Sequence, residues 1–127
     1  MTGLLLLSAL LFQAAPPGQS GDFAKWWPQF QAAVAKRDID AVAQGVEFPM
    51  DWENGPIRKI QSAADLKFRF DSYFTAEIKK MIATKKPERL PGGAYLIWWK
   101  ARGNEYSLSF KPQGASYALA YLAEGPP

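Results

Sequence analysis

Residues 94–123 read AYLIWWKARGNEYSLSFKPQGASYALAYLA, and this stretch decides the fold. Within it EYSLSFK alternates, with Tyr106, Leu108 and Phe110 on one side and Ser107, Ser109 and Lys111 on the other. Successive side chains of a strand point to opposite faces, so the segment predicts a strand with one apolar face and one polar face. Arg102-Gly103-Asn104 and Pro112-Gln113-Gly114 carry turn residues, and the flanking segments are rich in aromatic and branched side chains. Three strands joined by short turns make an antiparallel meander. The adjacent Trp98 and Trp99 must then face opposite sides of the sheet. Trp99 aligns with Tyr95 and Ile97, and Trp98 with Leu96, Lys100 and Arg102. A tryptophan buries roughly 150–250 Å², which is about 4–6 kcal/mol at about 25 cal/mol per Å². Trp98 therefore calls for cover. Either it lies at the rim or under the N-terminal segment, or it marks a dimer face or a ligand-stacking surface.

Working outward, residues 48–60 read FPMDWENGPIRKI. Phe48, Met50 and Trp52 fall on one side of an extended chain, Pro49, Asp51 and Glu53 on the other. Asn54-Gly55 is a tight-turn dipeptide, and Ile57 and Ile60 belong to a second short strand or arm. Asp51 and Glu53 lie two apart, about 7 Å on a strand, a spacing that suits general acid–base work in principle. The pleat, however, puts them opposite the aromatics, and burying two unpaired carboxylates costs several kcal/mol each, by roughly the ionic desolvation penalty. The expectation is aromatics inward and hydrated anions outward, with Arg58 or Lys59 within reach as partners.

Helical periodicity fills the remainder. Asp22 predicts a cap for a helix through Lys36, with Phe23, Trp26, Trp27, Phe30, Ala33 and Val34 at helical spacing. Pro28 conflicts with this, because it lacks an N–H and clashes with the preceding turn, so the helix either begins near Pro28 or kinks there. Arg37-Asp38 makes a corner, and Asp38 caps a short second helix carrying Val42 and Val46. Ser62 with Asp65 resembles a capping box, followed by Leu66, Phe70, Tyr73 and Phe74 at helical spacing. Thr75 and Glu77 open another helix, with Ile78, Met81 and Ile82 inward, that ends by Pro87. Helices followed by a bent meander give an α+β fold in one domain, residues 21–127.

The chain of 127 residues is 48% hydrophobic and 14% aromatic, enough for one packed core. It contains no histidine and no cysteine. Disulfides, thiol nucleophiles, Ser-His-Asp triads and zinc sites built on Cys or His are thereby excluded. Any proton transfer falls to a carboxylate, a lysine, a tyrosine or water. Tyr73, Tyr106, Tyr117 and Tyr121 supply hydroxyls that serve either a ligand or ordinary strand packing. The net charge of +3 is too small to single out nucleic acid. Lys79, Lys80, Lys85, Lys86 and Arg89 read as a solvated helix face, or else as a contact for anionic envelope material. Gly92-Gly93 has no phosphate-loop context and reads as a turn, so no cofactor and no metal is expected.

The first 20 residues, MTGLLLLSALLFQAAPPGQS, carry an apolar run from Gly3 to Phe12, no charge, and then small residues and a Pro-Pro-Gly break. The run is too short to span a membrane and suits a signal peptide, with cleavage after Ser20 or Ala15; a buried N-terminal helix is the other reading. The expectation is an exported protein, periplasmic or extracellular, without a transmembrane span in its mature form.

Three segments, FQAAVAKRDIDAVAQGVEFP, SAADLKFRFDSYFTAEIKKMI and YLIWWKARGNEYSLSFK, follow one another in an order that resembles small exported bacterial proteins of the NTF2-like, cystatin-like α+β roll class. That resemblance implies N-terminal helices packed on a curved antiparallel sheet, with an apolar, aromatic pocket between them. The class holds isomerases, dehydratases and transport adaptors, so the fold does not fix the activity. On this reading Trp26, Phe30, Trp52, Phe70, Tyr73 and Trp99 line the pocket and take a small apolar or aromatic ligand. The leading expectation is a non-catalytic binding or accessory protein of the bacterial envelope. The alternatives are a carboxylate-dependent isomerase or hydrolase using Asp51 or Glu53, and a structural homodimer through the Trp98 face.

Overall fold

A computed structural model describes residues 21–127. The signal-peptide expectation concerns residues 1–20 and lies outside the described residues. The described elements run in the order α1 (Gly21–Lys36), α2 (Ile39–Gln44), β1 (Val46–Asn54), β2 (Ile57–Ile60), α3 (Ala63–Phe68), α4 (Phe70–Tyr73), α5 (Ala76–Thr84), β3 (Glu88–Arg89), β4 (Tyr95–Ala101), β5 (Asn104–Gln113) and β6 (Ser116–Gly125). The fold is α+β, with helices packed on a curved, open six-stranded sheet of order β2-β1-β6-β5-β4-β3.

Helix α1 runs through Pro28, which lies on its exposed side, so the helix neither starts nor stops there. The proline cannot donate to the Ala24 carbonyl, but Phe23, Trp27, Phe30 and Val34 bury the opposite stripe and hold the helix to the core. Asp22, expected as the cap, instead lies inside the first turn, where its charge complements the helix N-terminus. At the other end Arg37 N–H donates to Val34 at 3.1 Å and Asp38 N–H to Ala33 at 2.9 Å, the paired bonds of a Schellman stop. Arg37 takes the left-handed residue of that motif, with φ 58°, where glycine is usual. Asp38 then caps α2 by accepting from the Ala41 N–H. Val46, expected on this second helix, instead opens β1, because Gly45 ends the helix one residue earlier.

The predicted caps also form downstream. Ser62 accepts from the Asp65 N–H at 3.1 Å, and the Asp65 carboxylate accepts in return from the Gln61 N–H at 2.9 Å. Thr75 accepts from the Ile78 N–H and starts α5. The helix expected from Ser62 breaks at Arg69 into α3 and α4. At 1.5 Å per residue an unbroken helix would hold Asp65 and Tyr73 about 12 Å apart along its axis. With the break, the Tyr73 hydroxyl donates to Asp65 at 2.9 Å.

The meander is antiparallel, as the alternation predicts. β4 pairs β5 in unbroken register from Tyr95–Phe110 to Ala101–Asn104. The intervening Arg102 and Gly103 both have positive φ, 53° and 78°, which matches the twist a two-residue hairpin needs. The sheet as a whole is mixed, not antiparallel throughout: β1 lies parallel to β6, with Trp52 beside Leu122. A parallel neighbour needs a long crossover, and the whole chain from β2 to β5 supplies it. The ladder shifts between Val46 and Asp51, and Pro49, which has no N–H to contribute, occupies that break.

The core fills the space between helices and sheet. Phe23 stacks on Tyr95 with centroids 3.7 Å apart, and Phe110 meets Trp27 edge-on at 5.0 Å. Met50, Trp52, Ile60, Leu66, Phe70 and Phe74 close the β1–β2 end. No described helix is long and apolar enough to cross a membrane.

Candidate functional site

The β1 pleat sorts its side chains as the alternation predicts. Met50 and Trp52 are buried, Phe48 is half-buried, and Asp51 is exposed on the opposite side. Asp51 pairs with Lys59 of β2 at 3.4 Å. Glu53, half-buried, accepts from the Glu124 backbone N–H of β6 at 3.1 Å. The two acids thus share a face but serve different neighbours, and no enclosed chamber contains them both.

The six aromatic candidates separate into three places. Trp52, Phe70 and Tyr73 belong to the closed core: the Trp52 indole donates to the Tyr73 carbonyl at 3.2 Å and stacks on Phe74, which stacks on Phe70. Burial, and then the hydrogen bond to Asp65, raise the pKa of the Tyr73 phenol, so it stays a donor. Trp99 sits apart. It stacks on Tyr106 at 5.7 Å and donates to Glu77 of α5 at 2.6 Å. Arg102 donates to the same carboxylate at 2.7 Å. The Arg102 bond, backed by the Trp99 indole, lowers the Glu77 pKa against the opposing effect of burial.

Trp26 is half-buried and packs against Phe30, which is buried. Both come from α1, one turn apart, and their rings stack with centroids 4.8 Å apart. They line a groove of about 250 Å³ with Gln29, Ala33, Ala41, Gln44, Gly45 and Ser116. The groove continues toward the start of α1 as a shallower depression beside Asp22, Lys25 and Ala115. Gly45 explains the close fit of its floor. A Cβ there would stand 3.0 Å from Phe30 Cδ1 and 3.2 Å from Trp26 Cζ2, so only a hydrogen leaves both rings in place. Helical periodicity alone placed Trp26 and Phe30 on one stripe; the part played by Gly45 and Ser116 has no local sequence signal.

A second and larger cleft, of about 490 Å³, opens at the end of the sheet where β1 and β6 finish and β5 begins. It is lined by Glu53, Arg58, Asn104, Glu124, Gly125 and Pro126. Glu124 accepts from the Tyr106 hydroxyl at 2.6 Å, from Asn104 at 3.1 Å and from the Gly55 N–H at 3.4 Å. The tyrosine bond, more than the others, holds its pKa below the usual carboxylate range. Sequence reasoning missed Asn104 and Glu124, because strands far apart in the chain assemble this cleft.

On the outer sheet face Trp98 is 41% exposed and Tyr121 40%. The Trp98 indole donates to Glu88 at 3.3 Å, and the Lys85 ammonium lies 6.0 Å from its ring centre. Among the described residues, no three Asp or Glu side chains converge as metal ligands do. Comparison of the chain with protein-family models, with curated proteins and with solved structures returns no match.

Proposed function

We propose that the chain is an exported, non-catalytic binding or accessory domain of the bacterial envelope, of the NTF2-like α+β roll class, and that it takes a small apolar or aromatic ligand in the groove beside α1. The observation that carries the reading is the half-buried Trp26 ring, stacked on buried Phe30 and lining a groove over a floor that Gly45 leaves free. A groove of this size suits a single planar ring, since pockets for drug-sized ligands run from about 300 Å³ upward. The α+β architecture, with helices packed on a curved open sheet, supports the class. The apolar run from Gly3 to Phe12, followed by small residues and a Pro-Pro-Gly break, supports export, although the basic residues that usually precede such a run are missing. The isomerase or hydrolase alternative has less support, because Asp51 is exposed and tied to Lys59 while Glu53 is tied to the β6 backbone.

The test is an amide NMR titration of the mature protein with indole as the probe. Saturable shifts centred on Gly45, Ala41 and Ser116, weakened at least about tenfold in Trp26→Ala, are expected, a loss of about 1.4 kcal/mol. Shifts that never saturate, or that centre elsewhere, would remove the groove from consideration. Export is tested separately by expressing the full chain and weighing the product: a mature N-terminus at Gly21 is expected, and an uncut cytosolic chain contradicts it.

A second reading, a homodimer through the outer face, is favoured by one arrangement. Trp98 and Tyr121 are exposed on the same sheet face, separated by the small residues Ser107, Ser109 and Ala123 of the neighbouring registers. Light scattering should then give a two-subunit mass that Trp98→Ser halves; a monomer at high concentration excludes it.

A further inference from the structure

The cleft beside β1, β5 and β6 holds opposite charges that form no direct ion pair among the described residues, although Arg58 helps to hold Glu124 ionised through space. Arg58 uses only Nη1, donating to the Gly55 carbonyl at 2.6 Å and the Ile57 carbonyl at 3.2 Å. Its Nε–Nη2 edge has no acceptor among the described residues, and this is an edge that meets a carboxylate with two parallel bonds. Glu53 uses only Oε1, for the Glu124 N–H. Its Oε2 has no donor among the described residues. Arg58 forms no ion pair within 4.0 Å with either glutamate, so a ligand need not first break one. Glu124, by contrast, has both oxygens engaged and acts as a fixed, ionised wall.

We infer that this cleft binds a small zwitterion of the α-amino-acid class, with its carboxylate on the Arg58 fork and its ammonium on Glu53 Oε2. A lone anion would face two glutamates, and a lone cation would leave the Arg58 edge unused. A molecule carrying both charges satisfies both groups at once. The volume of about 490 Å³ admits either a free amino acid or a dipeptide. The site is independent of the α1 groove, and its success or failure leaves the proposed function untouched.

The experiment is an amide NMR titration of the mature protein with four probes: L-alanine, L-alanyl-L-alanine, N-acetyl-L-alanine, which lacks the cation, and L-alanine methylamide, which lacks the anion. Saturable shifts at Gly55, Asn104 and Gly125 are expected for a zwitterion, with a dissociation constant in the millimolar range, roughly 1–10 mM, since exposed ion pairs bind weakly. Whether the amino acid or the dipeptide binds more tightly separates the two sources. Each singly charged probe should bind at least about fivefold more weakly, and added salt should weaken the zwitterion. Glu53→Gln keeps an acceptor for the Glu124 N–H, and Arg58→Gln alters an exposed side chain, so both should fold; each should weaken the zwitterion by a similar factor. Equal binding of the singly charged probes, no saturation of any probe below about 20 mM, or unchanged affinity in both variants overturns the inference.

Discussion

Arg102 holds the β4–β5 turn in the left-handed region, with φ 53°, and donates from the same side chain to Glu77 of α5 at 2.7 Å. A non-glycine residue there costs about 1 kcal/mol or somewhat more, and the bond to Glu77 offsets part of it. Arg37 repeats the arrangement at the α1–α2 corner, with φ 58° and a two-bond contact to Asp71 at 3.0 and 2.9 Å. In both cases a turn is tied by its arginine to a helix that covers the sheet. Glu77→Ala removes the Arg102 contact and leaves the buried Trp99 indole without its acceptor. The expected loss is about 1–3 kcal/mol, read as a lower urea midpoint at unchanged slope. A smaller loss is expected for Glu77→Gln, which keeps an acceptor.

Acid should act through the same carboxylate. The Arg102 bond lowers the folded pKa of Glu77 below its ordinary value of 4.5, so the unfolded chain takes up the proton first. The stabilisation is fully present above the unfolded value and is lost as pH falls below it, through the lower folded value. Urea midpoints from about pH 6 down to about pH 3 should fall in the wild type and fall less steeply in Glu77→Gln. Parallel curves would assign the acid sensitivity to other groups, of which Asp71, lowered by Arg37, is one.

At the alkaline end the sign reverses. The folded pKa of Tyr73 is raised above its ordinary value of 10.0, so the unfolded chain loses its proton first. Stability is retained below that value and lost as pH rises through the folded one. Tyr73→Phe should cost about 1 kcal/mol near neutrality and should abolish this alkaline slope. Denaturant midpoints on both sides of the phenol titration check it.

Gly45→Ala meets rings on both sides, and Trp26, half-buried, is the one able to move. The expected cost is about 1–3 kcal/mol, the range for an overpacked contact, together with a narrower groove. A thermal melt and the indole titration read the two effects separately. Unchanged stability with unchanged indole affinity would show that the floor is not tight.

Trp52→Ala should be among the most damaging single changes. The side chain is fully buried, fills the space beside Phe74 and donates to the Tyr73 carbonyl. Loss of volume at such a site costs about 3–5 kcal/mol, and equilibrium unfolding measures it directly.

What the sequence made legible was local. The alternation of residues 48–53 and 105–111, the caps at Asp38, Ser62 and Thr75, and the turn at Arg102-Gly103 act within a few residues, and each stands as the chemistry of those side chains predicts. The parallel placement of β1 was not legible, because it answers to contact with a strand about seventy residues away, and the break at Arg69 has no turn-forming residue to mark it. The candidate site divides in the same way. Trp26 and Phe30 share a stripe that any helix would create. The grouping of Trp52, Phe70, Tyr73 and Trp99 with them rested on the resemblance to the α+β roll class, and the structure puts those four in packed surroundings instead. Glu53, Arg58, Asn104 and Glu124 come together only once β1, β2, β5 and β6 are in register.

The side-by-side placement of β1 and β6 has a consequence for how the chain becomes itself. Glu53 and Glu124 meet across 71 positions, so the loop that must close is among the longest the domain could require. Non-local closure slows folding, and until it occurs β1 offers a bare row of amide and carbonyl groups beside β2. A nascent chain cut short before Ser116 would retain that sticky margin indefinitely, which makes the final strand the one whose arrival converts an aggregation hazard into a finished sheet.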